Sequence, residues 1–147
     1  MSRYVVSLGG NALGKNPEEQ KELLKAVAAP IVELIKDGHE VVIAHGNGPQ
    51  VGMINLSFSE SPSTPTMPFP ECGAMSQGYI GYHMQNAIGN EITKHGIKKS
   101  IASVITQVIV DENDEAFKNP RKPKHYQCSG VKLRHRPFLN VCPIALP

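Results

Sequence analysis

The sequence has no apolar run long enough to span a membrane, so no membrane partner is expected. Its start lacks a basic stretch followed by an apolar one, and no signal peptide is expected. Its three cysteines are odd in number and irregular in spacing, which speaks against a disulfide framework and leaves a reducing cytoplasm as the expected compartment. The phosphate-binding pattern G-x-x-x-x-G-K-[S/T] is absent. Leu8 to Leu13 does not fit G-x-G-x-x-G, so a dinucleotide fingerprint is not supported. Acidic residues are missing after Glu115: residues 1–115 hold all 13 Asp+Glu against 8 Lys+Arg, and residues 116–147 hold 7 Lys+Arg and no acid. Such a break marks a basic interaction tail or a segment of different origin. Aromatic content is only 5%, and no stacking platform is interleaved with those basic residues, so a nucleic-acid module is not expected.

What is present describes a folded domain. Hydrophobic content of 40% and charged content of 19% are globular values, and 147 residues suffice for one domain with a core. The chain is organised around Val41-Val42-Ile43-Ala44-His45-Gly46-Asn47-Gly48-Pro49-Gln50-Val51-Gly52. An apolar β-branched run reads as a buried strand. Gly46 and Gly48 permit a tight turn and a close approach of backbone to ligand. Pro49 suits the first turn of a helix, whose unpaired N–H groups attract an anion. The same grammar occurs earlier, where Tyr4 to Leu8 is followed by Gly9-Gly10-Asn11. One glycine turn reverses a chain; two strand–glycine–helix units favour an anion site.

The spacing predicts strand one over Tyr4–Leu8 and a helix that opens with Asn16 as cap, Pro17 at its first position and Glu19 in a capping box. Leu23, Leu24, Val27, Ala28, Ile31, Val32 and Ile35 share its apolar face. Pro30 should kink it, and Gly38 should stop it in a left-handed conformation. Strand two is expected over Glu40–Ala44, completing a parallel βαβ unit. A second helix starts near Pro49. Ser57 to Pro70, rich in Ser, Pro and Thr, reads as a long loop. A third helix is expected from about Cys72 to His95, ended by Gly96, with a row of small residues that would admit a partner helix. Ser100 to Val110 reads as a third strand, followed by an acidic turn over Asp111–Glu115. Beyond Phe117 the periodicity degrades.

Each candidate side chain has an ordinary reading beside its chemical one. Asn11 and Asn47 would donate to a phosphate, or simply tolerate turn geometry. His45 at a strand end is more often a hydrogen-bonded core residue than a catalyst. Cys72 reads as a small buried hydrophobe. His125, Cys128, His135 and Cys142 match no zinc spacing, so no metal site is expected. Lys122 could neutralise a transferring phosphoryl group, or be a solvated lysine.

Three ordered blocks, Val5 to Leu13, His45 to Gly52 and Met67 to Tyr82, closely resemble carbamate kinase, of the amino acid kinase family. Related kinases often carry a lysine where Ser7 stands here. The resemblance implies an α/β fold, a three-layer α/β/α sandwich around a mainly parallel sheet, and a homodimer. It implies reversible phosphoryl transfer between carbamoyl phosphate and ADP, giving ATP and carbamate, with Mg²⁺ accompanying the adenine nucleotide. It places Gly9, Gly10 and Asn11 in one substrate loop, Gly46, Asn47 and Gly48 in the other, and Lys122 of Asn119-Pro120-Arg121-Lys122-Pro123 in a protruding subdomain. Gly10, Asn11, Gly48 and Lys122 are the residues it implies for catalysis.

The resemblance covers about residues 3–124 and stops near Lys124, although family members are considerably longer. Residues 1–124 are therefore expected to be the N-terminal part of a kinase-like domain. Residues 125–147 are expected to be a basic tail unrelated to the family, of frame-shifted or misread origin. A kinase lacking its nucleotide half is expected to be inactive and weakly stable. The alternative is a non-catalytic protein that binds an anion or serves as a dimerisation partner of an intact kinase subunit.

Overall fold

Strand β1, Arg3–Leu8, and strand β2, Glu40–His45, lie side by side in parallel, with Arg3 opposite Glu40 and Leu8 opposite His45. The computed structural model describes residues 1–109, 111, 113 and 115. Parallel neighbours need a crossover between them, and helix α1, Pro17–Lys36, supplies it. The Asn16 side chain accepts from the Glu19 N–H at 2.8 Å, as the capping sequence predicts. The Glu19 carboxylate returns to the Lys15 N–H at 2.9 Å, one residue before the position a capping box uses. Helix α1 runs unbroken through Pro30. Its end is a Schellman turn: Gly38 has φ 81°, the Gly38 N–H donates to Ile35 O at 3.1 Å and the His39 N–H to Leu34 O at 3.1 Å.

Helix α2, Gly48–Glu60, and helix α3, Phe69–Lys94, follow. Both extend into the loop expected over Ser57–Pro70, leaving only residues 61–68 between them. The serines there do not break α2, because Ser57 Oγ and Ser59 Oγ each bond the carbonyl four residues back, Met53 O and Asn55 O, at 2.8 Å. Helix α3 ends at Gly96, φ 67°, in a second Schellman turn in which the Ile97 N–H donates to Ile92 O at 3.1 Å.

Leu24, Ala28, Ile31 and Val32 of α1 meet Ile80, Met84, Ile88 and Ile92 of α3, over Val6, Leu8, Val41 and Ile43 of the sheet. The other sheet face is open: Val5 is 51% exposed and Val42 49%. The α/β class with a parallel sheet is as expected. The described residues make the sheet and one helical layer of the sandwich.

The strand expected over Ser100–Val110 is not formed by its described residues, 100–109. A β-branched run becomes a strand only where a neighbouring strand edge takes up its N–H and C=O groups, and this run is paired with neither β1 nor β2. It lies instead along α3. Thr106 N–H donates to Gln77 Oε1 at 2.8 Å, and Gln77 Nε2 donates to Thr106 O at 3.5 Å, so one side-chain amide takes up both backbone groups of Thr106. The small-residue row also finds a different partner from the helix expected. A Cβ on Gly81 would stand 2.5 Å from Ser103 Oγ and 2.8 Å from Ser103 Cβ. The close approach serves this segment of the same chain. Lys122, the tail cysteines and histidines, and the boundary near residue 124 lie outside the described residues.

Candidate functional site

In the parallel register Leu8 faces His45, so the two strands end at the same edge of the sheet. The Gly46 N–H donates to Leu8 O at 3.3 Å, which ties the start of the second loop to the end of the first strand. Gly9 then enters a short 3-10 turn, Gly10–Ala12, while Gly46 and Asn47 lead into α2 at Gly48. The structure thus brings Gly9, Gly10, Asn11, Gly46, Asn47 and Gly48 to the carboxyl ends of adjacent parallel strands. In open α/β sheets, that edge is where ligands bind.

Neither backbone strain nor internal packing requires glycine at the expected positions. The described glycines with positive φ are Gly14, Gly38 and Gly96, not Gly9, Gly10, Gly46 or Gly48. A Cβ placed on Gly9, Gly10 or Gly46 would meet nothing within 4 Å. The space it would occupy is open, as a cradle for an external group requires.

Asn47 has a structural contact beside its expected part. It is the N-cap of α2 but makes no side-chain cap. Its Nδ2 donates to Ser76 Oγ at 2.8 Å, and Ser76 Oγ donates to Gly73 O at 2.6 Å. One amide hydrogen is therefore committed to α3, and the side chain leaves the first turn of α2 uncapped. Such a helix start keeps its partial positive charge for an anion. His45 Nδ1 donates to Gly46 O at 3.0 Å, bracing the turn. Cys72 is fully buried, and burial raises its thiol pKa, with Glu71 pushing the same way. It is the small hydrophobe its sequence context suggests.

Four buried polar residues behind the loops escape a motif search. Gln20, Gln50, Ser76 and His83 are each at most 8% exposed. Gln20 and His83 stand in phase with the apolar faces of α1 and α3, and a polar residue inside an apolar stripe is the signal that finds them. Gln20 Nε2 donates to Leu13 O at 3.0 Å, and Gln20 Oε1 meets His83 Nδ1 at 2.8 Å. Burial, with Lys21, lowers the His83 pKa against the opposing pull of Glu18. Burial, with Glu18, raises that of Tyr79, whose buried hydroxyl has no hydrogen-bond partner among the described residues. Among the described residues, no group of three or more His, Cys, Asp or Glu is arranged to hold a metal ion. No described helix is long and apolar enough to cross a membrane.

A parallel α/β unit that presents two glycine turns side by side at its carboxyl edge has the form of a phosphoryl-handling domain. The amino acid kinase family model matches residues 2–129, and the chain belongs to that family. Within it, similar proteins include carbamate kinases. One from Staphylococcus epidermidis is 56% identical over 126 residues, which is 84% of this chain and 41% of that relative. Carbamate kinase 3 of Staphylococcus aureus is 55% identical over the same shares. The solved structure of carbamate kinase from Giardia lamblia bound to AMP-PNP superposes with a TM-score of 0.77 at 38% identity, covering 84% of this chain and 45% of that one. The chain thus spans about 41% of the length of the curated relatives it matches.

Proposed function

We propose that this chain is the phosphoryl-side part of a carbamate kinase-type phosphotransferase, acting between carbamoyl phosphate and ADP to give ATP and carbamate. The carrying observation is the pairing of the two loops: Leu8 and His45 in register, Gly46 bonded back to Leu8, and open space above Gly9, Gly10 and Gly46. Phosphoryl transfer asks a protein mainly to position the reactants and to stabilise charge on the equatorial oxygens. Backbone N–H groups of Gly9, Gly10, Asn11 and Gly48 can supply both functions, because they are oriented before the substrate arrives, while the Gly46 N–H holds its loop in place through Leu8 O. Asn47 adds its remaining amide hydrogen. Lys122 is the proposed cation that meets the transferring group from outside the described residues.

Nucleotide phosphates bring magnesium with them, and the described residues offer it no carboxylate set of their own. The remainder of the relatives' length is the proposed source of the nucleotide side, and a homodimer in the cytoplasm is the proposed setting. Residues 125–147 are proposed as a tail outside the kinase fold. Retranslating the coding DNA in the other two frames tests its origin, and failure of both frames to restore kinase-like sequence removes the frameshift reading.

The deciding experiment is coupled ATP formation from carbamoyl phosphate and ADP by the purified chain, beside an intact family member. The expected result is no turnover by the chain alone, together with phosphate-induced shifts of the Gly10 and Gly48 amide resonances. Turnover by the chain alone would overturn the proposed division into two sides. The open sheet face at Val5 and Val42 favours one second reading, a non-catalytic partner of an intact subunit. Co-purification with a full-length kinase supports that reading.

A further inference from the structure

Two loops that serve one oxyanion need a fixed separation, and one buried side chain spans it. Gln50, in the first turn of α2, is 2% exposed. Its Nε2 donates to Leu13 O and to Gly14 O, each at 3.1 Å. Leu13 and Gly14 follow directly on the Gly10–Ala12 turn. The same Leu13 carbonyl accepts from Gln20 Nε2 at 3.0 Å. Exchanging the amide nitrogen and oxygen of Gln50 would set an acceptor against two carbonyls, so its orientation is fixed by its partners.

Among the described residues, the buried Gln50 Oε1 has no hydrogen-bond partner. A buried acceptor without a donor costs stability and offsets part of what the two Nε2 bonds contribute. What the amide accomplishes is a cross-link between the start of α2 and the end of the first loop. We propose that Gln50 is a positioning residue: its amide holds the Gly9–Asn11 loop and the Gly46–Gly48 loop at one separation, so that both address the same anion. The inference rests on the phosphoryl-binding reading above. Preorganised donors bind without a further ordering cost, and loss of the clamp lets the loops move independently.

The test uses the full chain, labelled with ¹⁵N and titrated with inorganic phosphate. In the wild-type chain the Gly10 and Gly48 amide resonances shift together on a single saturation curve. Gln50→Met keeps the length and the apolar stem but has no donor. It weakens phosphate binding by about tenfold, and the two glycines no longer saturate together. Gln50→Glu, at a pH high enough to ionise the buried carboxyl, sets a carboxylate against two carbonyls and acts in the same direction. On acidification its protonated carboxyl again donates to a carbonyl, and binding recovers relative to wild type at the same pH. No shift at either glycine in the wild-type chain removes the anion site itself. A normal wild-type titration with unchanged affinity and a single curve in Gln50→Met overturns the positioning role alone. Should Gln50→Met lose the core resonances of Val32 and Ile88, Gln50→Glu decides: recovery on acidification supports the role, and no recovery overturns it.

Discussion

His83 Nδ1 lies 2.8 Å from Gln20 Oε1, joining residues 63 positions apart. Gln20 has committed its Nε2 to Leu13 O, so its oxygen faces the imidazole. Nδ1 must then be the protonated nitrogen and the donor. Helix α3 is thereby connected through α1 to the segment that follows the first glycine turn.

The burial of His83 sets a pH dependence. Burial holds His83 below its ordinary value of 6.5, and Lys21 lowers it further while Glu18 opposes. The unfolded chain takes up a proton near 6.5 that the folded chain resists, so stability is fully present above that value and falls as pH drops through it. Urea denaturation on either side of that pH should show the loss. His83→Asn, which keeps a donor toward Gln20, should flatten it. An equally steep dependence in the variant would assign the effect to another group.

Gly10 separates stability from binding. It has no positive φ, and a Cβ there meets nothing within 4 Å. Gly10→Ala should change unfolding free energy by no more than about 1 kcal/mol. The new methyl group would occupy the open cradle and weaken phosphate binding by about tenfold. Calorimetric titration alongside thermal melting checks both halves of this expectation.

Gly81 behaves in the opposite way. Its Cβ would press on Ser103 Cβ at 2.8 Å, a contact that a hydroxyl rotation cannot relieve. Gly81→Ala should destabilise the chain by about 1–3 kcal/mol and loosen the Gln77–Thr106 pair. Adding Ser103→Gly should recover most of the loss. If the two changes simply add in a double-mutant cycle, the proposed contact is not what makes Gly81 necessary.

At the start of α1, Asn16→Ala removes the acceptor for the Glu19 N–H and should cost about 1 kcal/mol. Asn16→Asp keeps an acceptor there and should lose little. Chemical denaturation of the two variants makes the comparison.

Local chemistry made much of this legible. The Asn16 cap, Pro17, Gly38 and Gly96 announce helix ends because capping acts over a few residues and needs no distant partner. The loop residues Gly9 to Asn11 and Gly46 to Gly48 were visible as strand ends meeting glycine turns. The polarity of Ser57–Pro70 suggests a longer loop than forms, because serine is ambiguous: its hydroxyl can bond back within a helix as readily as it can end one. Gln50 stood in plain view in its motif, but its two acceptors lie 36 and 37 residues away.

The sequence by itself determined the order of the elements, the apolar faces of α1 and α3, and the two glycine turns, because these depend on residues close together in the chain. Tertiary structure alone decided that Ser100–Ile109 lies along α3 rather than in the sheet, that the Asn47 side chain turns to Ser76, and that Gln50 joins the two loops. Each of those outcomes turns on which backbone or side-chain group is left to accept a hydrogen bond once distant segments have met. A local pattern supplies the donors, and only the folded chain assigns their acceptors.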